Sequence, residues 1–165
     1  MIKKANIFPI VDKEWLQRKV SLGPRYYGSG AVQKMLDIPA RTMLHWADLN
    51  MVSPEGAKAH GKGTRRYFTV KNVVQFAILQ DMSRMGWRVD LMQKVLDHLT
   101  QAGYFENLHN PKRDHEAAFV YINEKDEIGI ENGTPVDMPD SRITVKMDLA
   151  MIELWVSEAL ENVLP

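Results

Sequence analysis

Residues 38–46 read IPARTMLHW. Pro39 suits the first position of a helix, where its missing backbone N–H costs nothing. Apolar residues then recur at intervals of three, which predicts one buried face for this helix. The residues on that face are Met43, Trp46 and Leu49. The opposite face carries Arg41, Thr42 and His45, whose side chains can form hydrogen bonds with a ligand.

A second helix is predicted immediately before this stretch. Ser29 is a suitable N-cap, and Val32, Met35 and Leu36 follow at helical spacing. Residues 37–38 are left as the turn between the two helices. Two helices joined by so short a turn form a helix-turn-helix pattern, whose second helix can enter the major groove of a DNA duplex.

A basic, glycine-rich loop follows over residues 53–64, and residues 65–70 are predicted to form a short strand because they are aromatic and β-branched. Cationic side chains beside a helix with exposed donors suit the phosphates that flank a major groove. The predicted contacts of this loop and strand are Lys58, His60, Lys62, Thr64, Arg65, Arg66 and Tyr67. The sequence therefore predicts binding to double-stranded DNA.

Two further helices are predicted over residues 70–99. Apolar residues recur at helical spacing from Val73 to Met82 and again from Leu91 to Leu99. Gly86 separates the two, and Asp90 is a suitable cap for the second. Residues 100–116 contain Gly, Asn and Pro without an apolar period, so they are predicted to be a linker.

The C-terminal part changes to a strand pattern and ends in a helix. Alternating apolar residues predict strands over 118–146 with a turn at Asn132-Gly133, and Asp148 is a suitable helix cap. The final helix has a wide apolar stripe made of Leu149, Ile152, Trp155, Val156, Ala159, Leu160 and Val163. The stripe suits a contact between two copies of the chain, or a cover for the small sheet, and the pattern leaves both open.

Composition and charge bound the possible classes of protein. The chain has 165 residues, of which 45% are hydrophobic, and no cysteine, which excludes disulfides and thiolate metal sites. The N-terminal residues lack the long apolar region of a signal peptide, which favours a cytoplasmic protein. Residues 1–113 hold 18 Lys and Arg against nine Asp and Glu, whereas residues 114–165 hold three against 12. A basic front and an acidic back suggest different partners, although two ordinary solvated faces would give the same counts.

The residues quoted above resemble the DNA-binding domain of the MerR family of bacterial transcription regulators. Residues 38–46 are similar to the recognition helix of that family, which has the pattern Arg-Thr-Ile-Arg-Tyr-Tyr. Residues 65–73 resemble its wing strand and the start of its third helix. Residues 82–96 resemble the Gly-containing segment and fourth helix that follow. The three blocks have the right mutual spacing and cover about 70 residues.

The resemblance implies a winged helix that binds a near-palindromic site as a homodimer and bends the DNA. The family's DNA contacts carry over to Arg41, Thr42, His45, Trp46, Arg65 and Arg66. Trp46 suits a DNA contact and a place in the core equally well, and Leu44 replaces the second arginine of the pattern. The resemblance also implies a nucleoid-associated location and RNA polymerase as a further candidate partner. The residues themselves predict no membrane span, because no apolar stretch is long enough, and they predict no metal site, no cofactor and no catalytic activity.

We therefore predict an α+β, mainly helical fold in four parts. These are an N-terminal extension (1–26), a winged helix-turn-helix (27–99), a linker (100–116) and a small acidic β-rich unit with a C-terminal helix (117–165). Within the extension we expect an extended segment over residues 7–11 and a helix over 13–20.

Two other functions are compatible with the pattern. A phage excisionase uses a similar winged helix to bend DNA for recombination, and the acidic back could instead be a protein-interaction module tethered to DNA. Two apparent motifs are rejected. Residues 56–63 lack the Ser or Thr that a phosphate-binding loop needs after its Lys. The histidines His98, His109 and His115 do not have the spacing of a metal site.

Overall fold

A computed structural model of the chain describes residues 26–54, 66–106, 108, 118–122, 125, 127–132 and 145–163. The fold is mainly helical, with two small antiparallel sheets. This confirms the predicted α+β, mainly helical class. The elements of these residues are β1 (Tyr27–Gly28), α1 (Ser29–Leu36), α2 (Ala40–Asp48), β2 (Tyr67–Phe68), α3 (Val70–Arg84), α4 (Val89–Gln101), β3 (Ala118–Ile122), β4 (Ile128–Asn132), β5 (Val145–Asp148) and α5 (Leu149–Val163).

Helices α1 and α2 form where the sequence predicts them, with each start displaced by one residue. Gly28, in extended conformation, is the N-cap of α1, so Ser29 is the first helical residue and not the cap. Pro39 is likewise the N-cap of α2 and not its first helical residue, because its ψ of 135° is extended. Asp37 has a φ of 51° and a ψ of 44°, and this left-handed conformation ends α1.

Helix α3 lies at the centre of the molecule. Eleven of its 15 residues are buried, so it has no solvent-facing side along most of its length. Contacts with α1, α4, α5 and β2 surround it. Thr69 caps the helix, since its hydroxyl accepts a hydrogen bond from the backbone N–H of Asn72 and the Asn72 carboxamide oxygen accepts one from the backbone N–H of Thr69.

The segment after α4 differs from the predicted linker. Gly86 separates α3 from α4 with a φ of 78°, as expected, but Arg88 and not Asp90 occupies the N-cap of α4. Tyr104, Phe105 and Leu108 are buried in the hydrophobic core. Within the predicted linker, residues 100–101 thus continue α4, and these three side chains pack against the core although they follow no regular apolar period. Residues 107 and 109–116 of the predicted linker lie outside the described residues.

The second sheet has the strand order β4-β3-β5, and both pairings are antiparallel. Val120 on β3 and Met147 on β5 are register partners, and both are buried. The three strands lie in the region where the sequence predicts strands, and β5 continues two residues beyond residue 146. Residue Gly133 of the predicted turn lies outside the described residues, as do the extended segment 7–11 and the helix 13–20.

Helix α5 follows β5 directly and packs against α1 and α3 as well as β3. The described side chains that it buries are Leu149, Ile152, Val156 and Leu160. Trp155 is half-buried beneath the guanidinium of Arg84, whose Cζ lies 5.2 Å from the ring centroid, and Ala159 is also half-buried. Tyr104 donates a hydrogen bond to the carboxylate of Glu153.

The apolar stripe of α5 is thus covered within one chain. The predicted dimer contact is wrong for the four buried residues, because their side chains are already packed against α1, α3 and β3. Nothing is described of the Val163 side chain. The buried apolar residues of both halves belong to one hydrophobic core, so α5 supports the helices before it and not only the small sheet.

None of the helices among the described residues is long and apolar enough to span a membrane.

Candidate nucleic-acid interface

The two faces of α2 differ sharply in composition. Met43, Trp46 and Ala47 are buried in the core. The outward face includes the exposed residues Arg41, Leu44 and His45, and Thr42 beside them is half-exposed. Because α2 is anchored along its inner face, its outward donors are held on a rigid element. The prediction that Arg41, Thr42 and His45 lie away from the core is confirmed.

Two predictions on α2 need correction. Trp46 is only 3% exposed, so its indole stabilises the core and is not available as a DNA contact. Leu49 is 45% exposed although its spacing places it on the buried face. The helix ends at Asp48, and Leu49, as its C-cap, no longer follows the helical rotation. Ala47 occupies the buried position instead.

The turn before α2 is joined to the central helix. The Gln80 side chain, buried on α3, lies with its Nε2 3.5 Å from the backbone oxygen of Asp37. At that length the hydrogen bond is weak. It nevertheless gives a polar partner to the residue whose left-handed conformation sets the direction of α2. The turn is therefore held from inside the core as well as by its own backbone.

An ion pair joins the C-terminal end of α2 to the residue before β2. The Arg66 Nη2 atom lies 2.7 Å from Asp48 Oδ1. A carboxylate at a helix C-terminus is unfavourable against the helix dipole, and the guanidinium offsets that charge. Arg66, predicted as a phosphate contact, is thus already paired within the chain. Its Nη1 atom is buried and has no hydrogen-bond partner among the described residues.

The described residues on either side of segment 55–65 are held by one buried side chain. Asn72 donates from Nδ2 to the backbone oxygen of Ser53, at 3.1 Å, and to Gln75 Oε1, at 3.0 Å. Its Oδ1 accepts from the backbone N–H of Thr69 at 3.2 Å. Ser53 precedes the segment and Thr69 follows it. Asn72 therefore joins the described residues on either side of segment 55–65, which we call its stems.

The other predicted contacts divide into two groups. Tyr67 is half-buried in β2, where its register partner is Gly28, the last residue of β1. The remaining contacts lie outside the described residues, and they are Lys58, His60, Lys62, Thr64 and Arg65. The structure thus brings Arg41, His45 and Arg66 onto α2 and its neighbouring stem.

Sequence reasoning missed two residues that shape this surface. Asn72 could have been found, because Thr69-Val70-Lys71-Asn72 after a short strand has the spacing of a capping box. Asp48 gives no such signal, since its partner Arg66 is 18 residues away. Among the described residues, no group of three His, Asp or Glu side chains could hold a metal ion.

A second ion pair joins the start of α3 to the segment after α4. Lys71 Nζ lies 3.3 Å from Glu106 Oε1. Hydrogen bonding from its own backbone N–H, together with Lys71, lowers the pKa of the Glu106 carboxyl from its usual value. Both side chains are partly exposed, so the pair contributes little to stability.

No model of a known protein family matches this chain, and no curated protein matches it either.

Proposed function

We propose that this chain is a DNA-binding transcription regulator of the MerR type, in which α2 enters the major groove of a duplex. The observation that carries the proposal is the outward face of α2. It presents Arg41 and His45 from a helix whose other face is fixed in the core. Arg can pair bidentately with the O6 and N7 atoms of guanine, and both residues can also bind phosphate.

The basic loop supports the same proposal. Its stems are held beside α2 by the Asn72 network and by the ion pair between Arg66 and Asp48. Cations of segment 55–65 would then contact phosphates next to the groove that α2 occupies. Such contacts give affinity that falls steeply with salt, whereas α2 would supply the choice of sequence.

A second candidate is an architectural protein that bends DNA without acting as a two-fold dimer. The burial of Leu149, Ile152, Val156 and Leu160 within the chain favours this candidate, because it occupies the stripe that would otherwise join two copies. A dimeric regulator would need a different contact surface. The two candidates use the same face of α2 and differ in the symmetry of the DNA site.

The test is selection from a random duplex pool by the purified protein at physiological salt, followed by sequencing. A regulator of the proposed type should enrich two half-sites related by two-fold symmetry and spaced about 34–36 Å apart or a multiple of that distance. Salt-sensitive binding with a single half-site, or with no enriched site, would favour the architectural candidate. Absence of binding to any duplex would refute both.

Arg41→Ala tests the role of α2 directly. Loss of one bidentate base contact should weaken binding to the selected site by about 1–3 kcal/mol and relax preference at one base pair. The matched control is Lys94→Ala, which removes the same charge from an exposed position on α4. If both variants weaken binding equally and the preferred sequence does not change, Arg41 contributes only charge and α2 is not the reading element.

A further inference from the structure

Leu44 is an exposed leucine in the middle of the proposed DNA-reading face. It is 39% exposed, whereas the other large apolar residues of α2, Met43 and Trp46, are buried. The core therefore does not account for an apolar residue at position 44. Leu44 follows Arg41 by three positions and precedes His45, so all three lie on neighbouring parts of one helix face.

The outward face of α2 has an apolar row beside a polar one. Ala40 is exposed and lies one turn before Leu44, so these two residues form the apolar row. Arg41 and His45 have the same four-residue separation and form the polar row. A ligand for this face must therefore offer hydrogen-bond acceptors and an apolar group side by side.

The edge of a base pair in the major groove has this combination of groups. Guanine offers the acceptors O6 and N7, and thymine offers its C5-methyl group. An apolar protein surface or a lipid would leave Arg41 and His45 without acceptors, which is costly for buried charge. The basic residues of the neighbouring loop sequence also favour a polyanion.

We propose that Leu44 contacts the C5-methyl group of a thymine next to the base pair that Arg41 reads. This inference rests on the proposed function and adds a base preference to it. Ala40 would extend the apolar contact along the groove. Leu44 would then be a specificity-determining residue that recognises a methyl group, at a position where a hydrogen-bonding side chain would recognise a donor or an acceptor.

The experiment removes only the methyl group from the DNA. The duplex pool selected by the wild-type protein is copied once with thymidine and once with deoxyuridine, and the affinity for each copy is measured. Burial of one methyl against Leu44 should give about a fourfold higher affinity for the thymidine copy, equivalent to about 0.8 kcal/mol. Leu44→Ala should bind the two copies almost equally.

Leu49→Ala is the matched control. Leu49 is an exposed leucine of similar accessibility that caps the C-terminal end of the same helix, five residues after Leu44. This variant should keep the full preference for the thymidine copy. Both substitutions are at exposed positions, and circular dichroism should show the same helical content and midpoint as the wild type.

Leu44→Arg provides a second test, because it replaces an apolar contact with a bidentate donor. Selection with this variant should replace the thymine with guanine at one position of the site. A leucine with only a structural role would not produce that change.

The outcomes separate this inference from the proposed function. If the wild type binds neither copy, the methyl contact and the proposed DNA binding are both refuted. If the wild type binds both copies equally, or if Leu44→Ala keeps the preference for thymidine, the methyl contact is refuted and DNA binding stands. A preference that Leu44→Ala loses and Leu49→Ala retains supports the inference.

Discussion

At the scale of single residues, the side chain of Asn72 connects several parts of the candidate interface. Its carboxamide is buried and makes hydrogen bonds to Ser53, Thr69 and Gln75. Each of these partners would lose its hydrogen bond without it, and an unsatisfied buried polar group costs more than a hydrogen bond contributes. Asn72 thus supports both the start of α3 and the geometry of the loop stems.

Asn72→Ala should therefore reduce both stability and DNA binding. We expect the free energy of unfolding in urea to fall by about 1–3 kcal/mol, because buried partners are left unsatisfied. DNA affinity should also fall at temperatures where the variant is fully folded, since the stems are no longer fixed. Gln93→Ala is the control, because the Gln93 hydrogen bond to Asp97 is on the surface of α4. Equal stability of the two variants would contradict the role assigned to Asn72.

Trp46 shows where residue-level prediction reaches its limit. Its position at helical spacing from Met43 predicts burial, whereas the family pattern implies a DNA contact. Indole is largely apolar and carries one donor, so its chemistry suits both environments. Only the packing of α2 against α1 and the shared core decides between them, and that packing is not encoded in the residues next to Trp46.

At the scale of elements, the contact between α2 and the stem before β2 depends on the pair of Asp48 and Arg66. The Asp48 side chain is largely exposed and that of Arg66 is partly exposed, so the pair should contribute at most about 1 kcal/mol to stability. Its larger effect is on charge, because it places a carboxylate at the end of the proposed DNA-reading helix and engages a cation that could bind phosphate.

Asp48→Asn should strengthen DNA binding while leaving stability almost unchanged. The substitution removes a negative charge beside the proposed groove and releases the Arg66 guanidinium. We expect a higher affinity at low salt and a slope of log affinity against log salt that is steeper by about one phosphate contact. Asp97→Asn on α4 is the charge-matched control and should have little effect. Weaker binding by Asp48→Asn would mean that the ion pair positions Arg66 for its contact.

The helices α1 to α4 and the strands β3 to β5 could be predicted because their apolar residues recur at local, regular spacing. Features that depend on partners distant in the sequence could not be predicted. Tyr104 and Phe105 have no period, so their burial becomes apparent only when the core around α3 is assembled. The same applies to Arg66, whose partner Asp48 is distant in sequence. The outward direction of Arg41 was predictable because it follows from the rotation of one helix.

At the scale of the whole molecule, α5 joins the acidic C-terminal part to the helices of the N-terminal part. Its buried residues pack against α1 and α3, and Arg84 lies over Trp155. The sequence predicted the stripe on α5 but not the surface that covers it, because amphipathicity specifies a buried face without specifying its partner. The shared core predicts that the described elements unfold together.

Leu160→Ala should therefore destabilise the entire chain. Truncation of a fully buried leucine should lower the free energy of unfolding by about 2–5 kcal/mol. Tryptophan fluorescence and far-ultraviolet circular dichroism should report one transition with a common midpoint. Met151→Ala, at an exposed position on α5, should change stability by no more than about 0.5 kcal/mol. Two separate transitions, with only one displaced by Leu160→Ala, would show that α5 is not part of a common cooperative unit.

The position of α5 also has a consequence for the order of events during synthesis. Helices α1 and α3 leave the ribosome before the segment that completes their packing surface. At about 5–20 residues per second, the more than 50 residues from Leu108 to Leu160 take several seconds to follow. During that interval the surfaces of α1 and α3 that α5 later covers are exposed on the nascent chain. The packing that supports the proposed DNA-reading face is thus completed late in translation, and a polypeptide interrupted before α5 would be a substrate for chaperones and proteases.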